Sequence, residues 1–170
     1  MADPENPDTT ARSHEAPASG DIGLTMSYII SIPGILKIVE FFTLLLAFAL
    51  AADGYAAVAQ YVVVHWERMD FFLFVTVTSW LLVIAIFVLF AFNIISKINL
   101  SIDWNIPVFV FALVAAFLLL LSSALLAAQT AGGYGPLSDR LNAAVAFGFI
   151  SMFVFIADAV VYFLRRTGRM

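Results

Sequence analysis

Four runs of almost uninterrupted apolar residues succeed one another along the chain, at 33–52, 70–95, 105–130 and 141–164. Each holds roughly 20–26 residues, and a helix rising 1.5 Å per residue needs about 20 to cross a hydrocarbon core of about 30 Å. The runs are twice the length of a membrane-spanning strand and do not alternate polar with apolar, so the pattern predicts helices. The three longer runs fit a tilted span, or one whose ends rise out of the lipid. The segment 22–32 is semi-apolar and precedes Pro33. It reads as a short interfacial helix, with Pro33 in the first turn of span one, where a missing N–H costs little.

The joining segments, 53–69, 96–104 and 131–140, are too short to house a catalytic domain. The last contains Gly132-Gly133-Tyr134-Gly135-Pro136, a strong turn signal. Tyr61-Val62-Val63-Val64 in the first reads as a short strand or as the frayed end of span one. The expected fold is an all-α integral membrane protein: a four-transmembrane-helix bundle with short loops.

Composition agrees and removes other classes. The 170 residues are 63% apolar and 12% charged, against about 45–50% and about 25% in ordinary soluble domains. So small a chain cannot hide that much apolar surface from water. The absence of cysteine removes disulfides, thiolate metal sites and cysteine catalysis. The net charge of -4 gives no sign of a nucleic-acid partner, since Asp3, Glu5, Asp8, Glu15 and Asp21 stand in the N-terminal tail. Residues 1–21 are polar, acidic and proline-bearing, and cannot bury enough apolar area to offset chain entropy. The tail lacks the basic start and apolar core of a signal peptide, and Ala2 stands where N-myristoylation needs glycine. The domain reading is a disordered acidic tail over 1–27, a four-helix transmembrane domain over 28–165 and a short basic tail over 166–170.

Lys and Arg set the expected orientation. With both termini in the cytoplasm, Arg12, Lys37, Lys97, Arg165, Arg166 and Arg169 lie inside and Arg68 and Arg140 outside, as the positive-inside rule requires. Asn99-Leu100-Ser101 is then a cytoplasmic and unmodified sequon. Trp66 and Trp104 fall at span ends, where indoles favour the interface.

The polar residues inside the spans are the candidate chemistry. Glu40 is seven residues past Pro33 and Asp158 seven before Arg165. Because spans one and four run in opposite directions, both acids lie about 10 Å from the cytoplasmic face. Lys37 is one turn from Glu40, so an intramembrane cluster of Lys37, Glu40 and Asp158 can form between these spans. The cluster reads either as an ionic lock between two helices or as a proton or ion relay. The lock is favoured, because a relay needs more acids along a path. In span four, Ala144, Gly148, Ser151, Phe155, Asp158 and Tyr162 share one stripe of 4-3-4-3-4 spacing with a small outer half. Small residues allow close helix approach, so Ala144, Gly148, Ser151 and Phe155 are the expected packing face, with a partner face as the alternative. Span one offers Glu40, Leu44, Ala47 and Ala51, and span three offers Ala112, Ala116, Ser123 and Thr130.

Elsewhere the signals are weak. His14 and His65, without cysteine, make no convincing metal site. Arg165, Arg166 and Arg169 fall short of the basic cluster expected of a phosphoinositide site and read as an anchor for the helix end. No phosphate-binding glycine loop, nucleophile elbow or zinc motif occurs, so no catalytic, cofactor or metal residues are expected.

Several short stretches resemble the MARVEL family. Gly34-Ile35-Leu36-Lys37-Ile38-Val39-Glu40 resembles the family's start of span one. Ile102-Asp103-Trp104-Asn105 with Pro107 resembles its entry to span three. Asn142-Ala143-Ala144-Val145-Ala146-Phe147-Gly148-Phe149, followed by Asp158, resembles its span four. The nearest likeness is to the chemokine-like factor and MARVEL transmembrane-domain group, with MAL and plasmolipin as wider relatives. Many relatives carry cysteines near the outer loops and this chain has none. The resemblance implies a non-enzymatic organiser in membrane apposition, vesicle trafficking or stabilisation of a membrane-protein partner. Its partners would be membrane lipids and another integral membrane protein or a second copy. It would sit in the plasma membrane or in endosomal or secretory vesicles. The rival reading is a small channel or proton-coupled transporter subunit using Glu40 and Asp158.

Overall fold

The computed structural model describes residues 26–58, 66–94, 103–131 and 136–169. Five helices follow in order: α1 (Met26–Ile29), α2 (Ile32–Val58), α3 (Trp66–Ala91), α4 (Asn105–Thr130) and α5 (Pro136–Arg166). The last four are long and apolar enough to cross a membrane, over Ile32–Ala56, Glu67–Ala91, Asn105–Thr130 and Asp139–Arg166. They pack as a ring in which α2 touches α3, α3 touches α4, α4 touches α5 and α5 closes back on α2. α5 makes the broadest contacts, with α4 and α2. The start of α2 and the end of α5 share one end of the bundle, called here the terminal end.

The helix bounds differ from the apolar runs for physical reasons. α2 continues past Ala52 to Val58, and α5 begins at Pro136 rather than Leu141. Hydropathy marks the slab of lipid, whereas a helix continues until a stop signal. One residue beyond the apolar run, Asp53 on α2 pairs with Arg140 on α5. Pro136 opens α5 at the position where its missing N–H is harmless. α3 stops at Ala91, four residues before the end of its apolar run. The stop is Asn93, at φ 51°; asparagine tolerates the left-handed conformation that commonly ends a helix. Its N–H donates to the Phe90 carbonyl at 3.2 Å, closing a last tight turn.

α4 is entered through Asp103, whose carboxylate accepts from the Asn105 backbone N–H at 3.1 Å and from its Nδ2 at 2.7 Å. α2 is capped by Ser31, whose hydroxyl accepts the Gly34 N–H at 3.4 Å and donates to the Tyr28 carbonyl. The interfacial helix expected before Pro33 is the single turn α1, folded against the start of α2. Gly34 permits that fold: a Cβ there would strike the Tyr28 and Ile29 carbonyl oxygens. The tail, the Tyr61–Val64 stretch, the sequon at Asn99, the Gly132–Gly135 turn, His14 and His65 lie outside the described residues.

Two apolar clusters fill the ring. One joins Leu44, Val75, Val83, Ala112, Leu119, Met152 and Phe155 toward the terminal end. The other joins Ala47, Ala51, Met69, Phe72, Leu126, Leu141 and Ala144 toward the far end. Large apolar side chains such as Phe42, Phe74, Phe117, Phe153 and Phe163 face outward and are more than half exposed, as lipid-facing positions should be.

A tight contact between spans lies at Gly148. A Cβ there would overlap the Ser123 hydroxyl of α4 and approach the Phe72 ring of α3 to 2.9 Å. Gly148→Ala should therefore loosen the bundle, at about 1–3 kcal/mol for overpacking. Adding Ser123→Ala should restore part of the loss. Unfolding of the purified protein in detergent or bilayer checks this; equal stability of Gly148→Ala and wild type would show the contact to be soft.

Candidate functional site

In α2, positions 37, 40, 44, 47 and 51 recur at helical spacing on one face. Lys37, Glu40, Leu44, Ala47 and Ala51 are all fully buried there. In α5 the corresponding face is Ala144, Gly148, Ser151, Phe155, Asp158 and Tyr162, and it too is buried. These faces meet, and near the terminal end their polar members converge. The Lys37 ammonium donates to Glu40 Oε2 at 2.8 Å and to Asp158 Oδ2 at 2.6 Å. All three side chains are fully buried. Two aromatic rings face the same ammonium, Phe111 of α4 at 5.9 Å and Phe155 of α5 at 5.6 Å. Those rings pack edge to face on each other with centroids 5.7 Å apart. The cation is thus held by two carboxylates and the negative faces of two rings, the arrangement a desolvated ammonium requires.

Each carboxyl uses one oxygen on Lys37. The other oxygens, Glu40 Oε1 and Asp158 Oδ1, are buried and accept no hydrogen bond from the described residues. Two phenols lie beside them. Tyr162, one turn past Asp158, is 1% exposed. Tyr28 of α1 covers this end, stacked on Phe90 of α3 at 5.3 Å and tilted against Phe87 at 6.1 Å. The two hydroxyls approach each other closely enough to interact as hydrogen-bonding groups, in the field of Asp158, though outside strict hydrogen-bond geometry. Burial pushes the Tyr28 phenol up to about 12, so it stays protonated and available as a donor at neutral pH.

Toward the far end the interior becomes dry. Leu44, Leu119 and Phe155 are fully buried in the apolar cluster that adjoins the triad, Ala47 lies in the cluster beyond it, and α3 adds the buried hydroxyls of Ser79 and Thr76. The buried hydroxyls beyond bond within their own helices: Ser151 donates to the Phe147 carbonyl at 2.9 Å, Thr76 to Phe72 at 2.8 Å and Ser122 to Leu119 at 3.3 Å. That local pairing satisfies them without a cross-bundle network. Ser123 Oγ, pressed on Gly148, has no partner.

The structure therefore brings Lys37, Glu40 and Asp158 to one point and places Ala144, Gly148, Ser151 and Phe155 on the inward face of α5. Phe111 and Tyr28 were not singled out by the sequence. Nothing distinguishes Phe111 from the other sixteen phenylalanines before the fold is known. Tyr28 carried a faint signal, as a lone phenol in the segment before Pro33. Among the described residues, no group of three or more His, Cys, Asp or Glu side chains could hold a metal.

Residues 28–161 match the profile of the MARVEL family, described as a membrane-associating domain. A plasmolipin from Danio rerio is 32% identical over 171 residues, covering 99% of this chain and 93% of the relative. No solved structure matches. The chain belongs to the MARVEL family, and it is a four-span integral membrane protein of membrane-associated processes.

The triad generates a stability prediction. Lys37→Met leaves two buried acids without their counter-ion, which should cost roughly 3–5 kcal/mol. Combining it with Glu40→Leu and Asp158→Leu should recover most of that loss, because a packed apolar replacement carries no desolvation cost. Unfolding of the single and triple variants in one detergent provides the comparison. A triple variant no more stable than the single would show that the side chains matter for their shape rather than their charge.

Proposed function

We propose that this MARVEL-family chain is a non-enzymatic membrane organiser. It acts in membrane apposition, vesicle trafficking or stabilisation of a membrane-protein partner, through the lateral surface of the bundle. The observation that carries this reading is the closed interior. Lys37, Glu40 and Asp158 are tied to one another, and an apolar layer that includes Leu44, Leu119 and Phe155 adjoins them. That layer tells against a channel or proton-coupled transporter using Glu40 and Asp158, since conduction needs polar groups along a path. What remains for function is the outward face.

That face has two features suited to the role. An apolar groove of about 310 Å³ runs between α2 and α3, lined by Ile38, Phe41, Phe42, Val83, Ile84 and Phe87, with Lys37 at its base. Its chemistry and its place on a span suit a lipid acyl chain. The spans hold 25–28 residues, or about 37–42 Å of helix at 1.5 Å per residue. Helices of that length, with charged residues in their end turns, cross a bilayer by tilting or by rising out of the lipid; the plasma membrane or endosomal and secretory vesicles are assigned by the likeness to the MARVEL family. Both termini are assigned to the cytoplasm by the placement of Lys and Arg. The narrower likeness to the chemokine-like factor group rests on the span-entry motifs; the plasmolipin relative supports the wider grouping. The partners on this reading are membrane lipids together with another integral membrane protein or a second copy.

Proximity labelling in intact cells, with the labelling enzyme fused to the N-terminal tail, tests the proposal. A short and reproducible set of integral membrane neighbours is the expected result. In parallel, the purified protein in sealed vesicles should pass no protons or alkali cations above the level of empty vesicles. Flux that disappears in Asp158→Asn would overturn the organiser reading in favour of the transporter.

A further inference from the structure

The triad does not balance its own charge. One ammonium faces two carboxylates, and all three side chains are fully buried. Both carboxyls bond the same nitrogen, at 2.8 Å and 2.6 Å, so their bonded oxygens are no farther apart than the sum of those distances. Two carboxylates that close, desolvated, do not both ionise beside a single cation. Among the described residues, no second cation is bonded to either acid. α4 has no ionisable side chain over Asn105–Thr130, and those of α3, Glu67, Arg68 and Asp70, sit at the far end. α1 presents Tyr28, and α5 presents Tyr162 and, two turns beyond Asp158, the exposed Arg165, which makes no ion pair with either acid. Arg165 acts on Asp158 only through space.

Two further observations point to a small occupant. Glu40 Oε1 and Asp158 Oδ1 are each buried without a partner among the described residues. The Tyr162 hydroxyl, on a side chain 1% exposed, has the Tyr28 hydroxyl as its neighbour and lies in the field of Asp158. The arrangement thus holds two idle acceptor oxygens beside a buried hydroxyl and lacks one positive charge.

We propose that Lys37, Glu40 and Asp158 form a binding site for one proton, shared between the two carboxyls, so that the assembled triad is neutral inside the membrane. The proton binds one of the idle carboxyl oxygens and no other bond changes. It belongs to the set and not to either acid. Removing either carboxyl leaves a balanced pair with Lys37 and releases the proton. Removing Lys37 calls for a second one.

Infrared spectroscopy of the full-length protein in lipid vesicles reads this directly. At neutral pH exposed carboxyls are ionised, because their ordinary pKa values lie near 4. A protonated-carboxyl C=O stretch at that pH therefore reports a buried acid. The wild type should show one such band, of intensity equal to one carboxyl per chain. Glu40→Gln and Asp158→Asn should each abolish it, and Lys37→Met should double it. No band in the wild type at neutral pH would overturn the proposal and leave the charge to a bound alkali cation or to Arg165. A band that survives unchanged in one of the two amide variants would also overturn it, by showing that the proton belongs to a single acid for reasons of burial alone. The wild-type spectrum decides the first point even if a variant fails to fold.

Discussion

A hydrocarbon interior cannot solvate an ammonium group, and Lys37 lies inside it. Everything near the terminal end of the bundle follows from closing that one charge. Glu40 is supplied from the next turn of the same helix, Asp158 from the antiparallel neighbour, and the rings of Phe111 and Phe155 from the two remaining directions. Each of these groups fixes the rotation of the helix that carries it. The Leu44, Ala47 and Ala51 face of α2 and the Phe155, Ser151 and Gly148 face of α5 turn inward with them. The packing stripe is thus continuous with the ionic cluster, and the two cannot be separated along the chain.

The class of fold was legible because lipid imposes a coarse and strong pattern: about twenty apolar residues per crossing, with turn residues between. The convergence of Glu40 and Asp158 was legible too, since equal offsets from opposite ends of two antiparallel helices put residues at one depth. Helix ends were less so. Hydropathy measures where lipid ends, whereas α2 ran on to Val58 and α5 began at Pro136 because no stop or start signal coincided with the lipid boundary. The end of α3 depended on one asparagine, Asn93, whose tolerance of positive φ is invisible in an apolar profile. Phe111 could not be found, because its role comes from facing Lys37 across the bundle and not from its own neighbours in sequence.

Several of the remaining buried hydroxyls obey a simpler rule, Ser123 excepted. A hydroxyl in a dry interior bonds to the carbonyl three or four residues back on its own helix, as Ser151, Thr76 and Ser122 do. Such a bond adds nothing between helices. The cohesion of the far half therefore rests on close packing at Gly148 and in the Ala47, Ala51 and Ala144 cluster, with the exposed Asp53–Arg140 pair contributing little. The bundle is held by charge at one end and by small residues at the other.

That division bears on which helices become neighbours. Apolar packing is permissive: four greasy helices of similar length can be arranged in more than one order, and lipid adds no hydrophobic preference among them. The triad is selective. Neither α3 nor α4 offers an ionisable partner at the depth of Lys37, so only α5 can complete its coordination. A contact spanning 121 residues thereby brings the first and last crossings together and leaves α3 and α4 to close the ring. A buried ionic set contributes little net stability against a well-packed apolar replacement, but it penalises every arrangement that leaves a charge unpaired. In this protein the polar cluster favours the order that sets α2 beside α5, and the outward surface of the bundle goes with that order.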